Sequence, residues 1–226
     1  MRIKKRNGKL EELNIDNIHR MLEACKRDDL DISVSATAIN AHIKFADGMS
    51  TTDIQKTLIK SAAENITTDT PDYSILAARL LVTEMRKEVY GSFDPLPFLE
   101  YVHLNVEQGL YDSAILEYYS DEEIEILGDL IDYENDLHRP YSSIVQMDSK
   151  YLIKDAKTDR RLEMIQEIFM LIPMVIFAKE TDRMTYIKDF YTALKDDKIS
   201  LPTPIISGVR TKLKMFSSCC KIKMGD

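Results

Sequence analysis

The sequence predicts a mainly α fold with a small β component at each end. Apolar residues recur at helical spacing behind capping residues through most of the chain. Near the front, Ile3 and Leu10 lie either side of Arg6-Asn7-Gly8-Lys9, and Asn-Gly is the strongest two-residue hairpin signal because both positions tolerate positive φ. At the far end, Leu201 to Asp226, two short β-like runs flank a polar turn, and the second contains Cys219 and Cys220.

The elements follow in order. Residues 2–13 form the predicted hairpin, and Asn14 or Asp16 caps a helix with Ile15, Ile18, Leu22 and Cys25 on one face. Cys25 on that face reads as a small buried hydrophobe. Asp31 to Phe45 reads as a second, shorter helix, and Asp47-Gly48 as a turn. Ser50 with Asp53 makes a capping box before a stripe of Ile54, Leu58, Ile59, Ala62, Ala63 and Ile66. Thr70-Pro71 opens a helix that Gly91 ends, and Pro95 and Pro97 mark a domain boundary. From Phe98 to about Lys198 the pattern is helical. It includes a capping box at Ser120 and Glu123, helices over 141–153 and 182–194, and a buried helix over 162–179. The acidic stretch 121–136 reads as a solvated face rather than a metal site, and His103 and His138 are isolated.

Composition narrows the function. The chain has 226 residues, 44% of them hydrophobic, so a real core is expected. A formal charge of −8 speaks against a general nucleic-acid or anionic-membrane surface, while leaving room for a local anion site. Three cysteines do not make a disulfide framework, which fits a reducing, cytoplasmic setting. The basic N-terminus lacks the apolar segment of a signal peptide. The longest apolar run, Ile168 to Ala178, is too short to span a bilayer.

Two motifs carry chemistry. Lys5, Arg6 and Lys9 surround a tight turn followed by helix N-termini, a pattern that suits phosphate but also suits a plain solvated hairpin. The ordered set Lys5-Arg6-Asn7-Gly8, Glu11, Asn14-Ile15, Asp47-Gly48, Thr51 to Ile54, Ala77-Ala78-Arg79-Leu80 and Arg86-Lys87 resembles the ATP-cone, the allosteric domain at the front of many ribonucleotide reductases. The resemblance implies an ATP or dATP effector site at Lys5, Arg6, Glu11, Asn14, Thr51 and Lys87. Asn17 stands where many members have lysine, and Gln55 where many have histidine. Each change removes a cation, which implies a folded cone impaired as a dATP-dependent off-switch.

The second motif is Leu201-Pro202-Thr203-Pro204, Ser207-Gly208-Val209-Arg210 and Phe216-Ser217-Ser218-Cys219. It resembles the opening of the catalytic barrel in the large subunit of class I, phage-type ribonucleotide reductase. The resemblance assigns Thr203 and Ser218 to substrate phosphates, Cys219 to the thiol pair that reduces the ribose, and Asp226 to the specificity effector. Cys220, one residue on in a strand, faces the other way and drops out of the chemistry.

The implied organisation is an ATP-cone over 1–92, a helical domain over 93–200, and the first strands of an incomplete α/β barrel over 201–226. The implied partners are the remainder of the large subunit, a radical-generating small subunit carrying any metal, and thioredoxin or glutaredoxin. The expected activity is reduction of ribonucleoside to deoxyribonucleoside diphosphates for DNA replication, in the host cytoplasm if phage-encoded. The chain alone is expected to be inactive, whether cut artificially or encoded by a split gene. A stand-alone ATP/dATP-sensing module is the alternative, and the Cys219 motif speaks against it because a pure sensor has no use for that thiol.

Overall fold

The structure is a computed structural model that describes residues 1–5, 7–214, 216 and 217. The chain divides into two compact units. The first comprises residues 1–87 and 134–146, the second residues 88–133 and everything from Met147 onward.

In the first unit, β1 (Arg2–Lys4) pairs antiparallel with β2 (Leu10–Glu12), with Lys4 opposite Leu10. The connection is longer than a two-residue Asn-Gly turn. Gly8 takes a φ of 83° and its N–H donates to Lys5 O at 2.9 Å, while Lys5 N–H donates to Lys9 O at 2.8 Å. Asn7 does not close the turn by its backbone; its side-chain oxygen accepts from Lys9 N–H at 3.1 Å. A lone two-stranded ribbon is marginal in water. Here the outer edge of β1 is covered: Gly48 N–H donates to Arg2 O at 2.8 Å, and Lys4 N–H to Met49 O at 2.9 Å.

The helices of this unit are α1 (Ile15–Lys26), α2 (Val34–His42), α3 (Thr51–Glu64) and α4 (Asp72–Val89), whose last two residues belong to the second unit. Asn14, rather than Asp16, caps α1, accepting from Asp16 N–H at 2.9 Å. Ser50 caps α3 as expected. Thr70 does not cap α4 with its hydroxyl, which donates back to Asn65 O at 2.7 Å. Ile66 falls beyond the end of α3 and is exposed. Leu22, Ala41, Leu58, Ala62, Leu76, Ala77, Leu80 and Met85 are fully buried and make the core. Cys25 is buried as expected, and burial pushes its thiol up.

Arg79 is the polar keystone of this unit. Its guanidinium is 1% exposed. It donates to the carbonyls of Cys25 and Lys26, both at 3.0 Å, at the C-terminal end of α1, where carbonyls have no helical partner. It also reaches Leu137 O at 2.9 Å, in a short 3₁₀ turn, Asn135–His138, and grips Asp29 with both terminal nitrogens. That hydrogen bond lowers the Asp29 carboxyl to about 2.

The second unit contains α5 (Phe98–Glu107), α6 (Ala114–Tyr118), α7 (Asp121–Gly128), the last four residues of α8 (Tyr141–Lys150), whose first six belong to the first unit, α9 (Ile165–Ile176), α10 (Arg183–Lys195) and α11 (Thr203–Gly208). A buried helix forms as the sequence predicts, but its buried part is residues 165–174, including polar Gln166 and Glu167, while Ile176 near the end of the apolar run is exposed. Pro173 sits inside this helix and lacks the N–H that would bond Phe169 O, and α9 continues only to Ile176. The Ser120–Glu123 capping box is present in both halves. Among the described residues no helix is long and apolar enough to cross a membrane.

One expectation is corrected. The first β-like run of the C-terminal stretch, Ile205 to Val209, is not a strand but lies in and just beyond α11. Pro202 and Pro204 bracket the first helical residue, where a proline costs no hydrogen bond and its fixed φ suits helix entry. That local signal overrides the β preference of Ile205-Ile206. The second run, with Ser218, Cys219, Cys220 and Asp226, lies outside the described residues. No closed barrel occurs among the described residues; the only named sheet is the N-terminal ribbon.

Close approach of α5 and α7 depends on Gly128. A Cβ built there falls 2.7 Å from Phe98 Cβ, well inside contact distance. Gly128→Ala is expected to lower stability by about 1–3 kcal/mol through this overpacking, read as a lower urea midpoint at unchanged slope.

Candidate functional site

The front-end candidates gather on the hairpin and on two helix starts. Lys5 follows β1, and its Nζ lies 3.4 Å from Glu11 Oε2 on β2. Both are partly exposed, so the pair is weak and open to a ligand. Thr51 is the first residue of α3, and the adjoining Ser50 forms a parallel bridge with Lys4. The hairpin therefore lies against the α3 N-terminus, where free N–H groups and the helix dipole favour an anion. Asn14 sits at the start of α1, with its side-chain oxygen already engaged as the cap. Lys87 comes from α4 rather than the hairpin, close enough to Cys25 for its charge to lower that thiol. Arg6 lies outside the described residues.

The two departures from the cone pattern behave differently. Asn17 is exposed in the first turn of α1, and its side-chain oxygen accepts from Arg20. Gln55 is buried and donates from Nε2 to Leu80 O at 2.9 Å, tying α3 to α4. A neutral amide suits that buried carbonyl without the desolvation cost of a cation.

At the back end, Thr203 is exposed at the start of α11. Seven residues on, Arg210 is fully buried. Its Nε donates to Glu163 Oε2 at 2.8 Å and a terminal nitrogen donates to Glu163 Oε1, while Glu163 itself has no exposure. Arg210 also donates to Ile206 O and, at 3.2 Å, to Tyr151 O. Glu163 further accepts from Ile153 N–H at 2.6 Å and from the Tyr111 hydroxyl at 3.1 Å. The Tyr111 oxygen lies 3.0 Å from that of Tyr101. Burial alone pulls the Arg210 guanidinium down, but the Glu163 carboxylate outweighs it and holds the group above its usual value. Burial, then Glu163, pushes the Tyr111 phenol well up, so it stays a hydrogen-bond donor.

This cluster fixes the residues between Thr203 and the cysteine-bearing run. Asp112 N–H donates to Arg210 O at 2.9 Å, and Lys214 Nζ lies 2.7 Å from Asp112 Oδ2. Sequence reasoning listed Arg210 within a motif but assigned it no contact, and it missed Glu163. The available signal was Glu163, Gln166 and Glu167 inside an apolar stretch, since buried carboxylates need partners. Tyr191 satisfies Gln166 at 2.9 Å, and the Tyr90 hydroxyl donates to Glu167. His103, read as isolated, lies 3.0 Å from Asp121. Among the described residues no group of three or more His, Cys, Asp or Glu could hold a metal ion.

With this geometry in place, two family models match in order. The ATP cone domain covers residues 1–88, and the all-alpha domain of ribonucleotide reductase covers residues 138–214. The chain is homologous to the N-terminal region of the ribonucleotide reductase catalytic subunit. It is 41% identical over 227 aligned residues to ribonucleoside-diphosphate reductase 1 subunit alpha of Escherichia coli K12, covering 99% of this chain and 30% of that protein. It is 43% identical over 181 residues to the alpha subunit of Enterobacteria phage T4, covering 80% of this chain and 24% of the relative. A Helicobacter pylori alpha subunit matches at 30% over 215 residues. The chain thus spans about 30% of the length of the curated relatives it matches.

Proposed function

We propose that this chain supplies the effector domain and the first part of the active site of a class I ribonucleotide reductase. The carrying observation is alignment across 99% of the chain with reductase alpha subunits, through the cysteine-bearing end. In this reading residues 1–92 are the cone, 93–200 the helical domain, and 201–226 the opening of the catalytic barrel, entered through α11. Thr203 and Ser218 hold substrate phosphates through hydroxyl and backbone donors. Asp226 stands near the specificity effector. Cys219 is one of two thiols that close to a disulfide, delivering the two electrons that replace the ribose 2′-hydroxyl with hydrogen.

The remaining groups come from the rest of the large subunit, from the small subunit that generates the radical, and from a thioredoxin or glutaredoxin that reopens the disulfide. Reduction of a ribonucleoside diphosphate is the test, with this chain mixed with those three components. Cys219→Ser is expected to abolish turnover, while Cys220→Ser retains it. Activity in Cys219→Ser, or in this chain by itself, contradicts the reading.

The cone reading assigns ATP or dATP to Lys5, Arg6, Glu11, Asn14, Thr51 and Lys87. The open hairpin beside the α3 N-terminus supports it. With asparagine at position 17 and a buried glutamine at position 55, fewer cations face the phosphates. Calorimetric titration is expected to show weak dATP binding, strengthened by Asn17→Lys. Tight dATP binding that shuts down the assembled enzyme contradicts an impaired switch.

A further inference from the structure

A cavity of about 880 Å³ opens between α5 and α7, within the second unit, and none of its lining residues is assigned a role above. Its floor is apolar, built from Leu96, Pro97 and Phe98. Its rim is acidic: Glu100 on α5, Asp121 and Glu125 on α7 and Asp129 just past its end, with His103 of α5 lying 3.0 Å from Asp121. Among the described residues, no lysine or arginine lines it. The carboxylate of α7 that does meet an arginine, Glu123, bonds Arg183 at 2.6 and 2.8 Å and does not line the cavity. Gly128 and Phe98 meet at the base, so the two helices hold the groove at a fixed width.

We propose that this groove docks a basic peptide segment of a partner protein, with an apolar side chain on the floor and lysines or arginines against the rim. Charge and shape select that occupant. Nucleotides and other anions are repelled by the rim. A bare divalent cation needs clustered ligands, and no metal-competent group exists among the described residues. A segment with both features matches the usual anatomy of an interface, apolar at the centre and polar at the edge. Half-buried Leu96 and exposed Pro97, desolvated on docking, supply affinity, and the carboxylates set register and approach rate.

The test is fluorescence anisotropy on the full chain, using a labelled peptide of about ten residues in which lysines flank a central Leu-Pro pair. Replacing that leucine by serine in the probe is expected to weaken binding at least about fivefold. The double variant Glu125→Lys/Asp129→Lys is expected to weaken it about tenfold or more. The milder Glu125→Gln/Asp129→Asn falls between, and unfolding curves check that both variants fold. The control reverses two exposed acids of the same unit elsewhere, Glu180→Lys/Asp189→Lys, and is expected to change binding less than about twofold. Equal weakening by the two pairs, or equal binding of the serine probe, means general attraction to an acidic protein and overturns the proposal. So does failure of the leucine probe to bind.

Discussion

Arg210 and Glu163 meet with no solvent on either side chain, and the second unit is arranged to make that tolerable. Removing two charges from water costs several kcal/mol each, recovered only when geometry is good and the remaining donors and acceptors are satisfied. Here both carboxylate oxygens are engaged by the guanidinium, and Ile153 N–H and the Tyr111 hydroxyl take further lone pairs. The guanidinium's other donors reach Ile206 and Tyr151 carbonyls. Four stretches of chain, at residues 111, 151–153, 163 and 206–210, therefore converge on one pair. The direct consequence is that α11 and residue 210 cannot shift independently of the entry to α9.

That constraint bears on function because the proposed substrate residues flank it. Thr203 begins α11, and Cys219 follows Arg210 by nine positions. A phosphate-holding hydroxyl and a reducing thiol must keep their separation to well under an ångström or so for efficient chemistry. A buried, fully satisfied ion pair between them is a suitable anchor. Arg79 plays the corresponding part in the first unit, where it joins the end of α1, Asp29 and the 3₁₀ turn.

Much of this was legible in the sequence, and the reasons are local. Caps at Ser50 and Ser120 and the buried helix α9 each carry a short-range cause and form as read, while Gly8 takes its positive φ in a connection longer than the expected Asn-Gly turn. The failures are where a nearby signal competed or a partner was distant. Ile205-Ile206 looked like strand, yet the flanking prolines set a helix. Thr70 looked like a cap, but its hydroxyl found Asn65 O instead. The tie that buried Gln55 makes from α3 to Leu80 O on α4, 25 residues on, was not announced by its place in the pattern. Glu163 and Arg210 stand 47 residues apart, and nothing in periodicity announces such a pairing. Of the candidate site, Lys5 and Glu11 were legible as hairpin neighbours and Lys87 as a residue of α4, but the bridge from Lys4 to Ser50, which sets the hairpin beside α3, joins residues too far apart to read.

The buried pair is the anchor of α11 and of Arg210. Amide hydrogen exchange at Asp112, whose N–H donates to Arg210 O, compares the parent chain with Glu163→Gln. Removing one charge of a buried pair costs about 3–5 kcal/mol. Protection at Asp112 is then predicted to fall by about a hundredfold or more, with residues 165–176 retaining more of theirs. Unchanged protection at Asp112 in the variant would contradict the account.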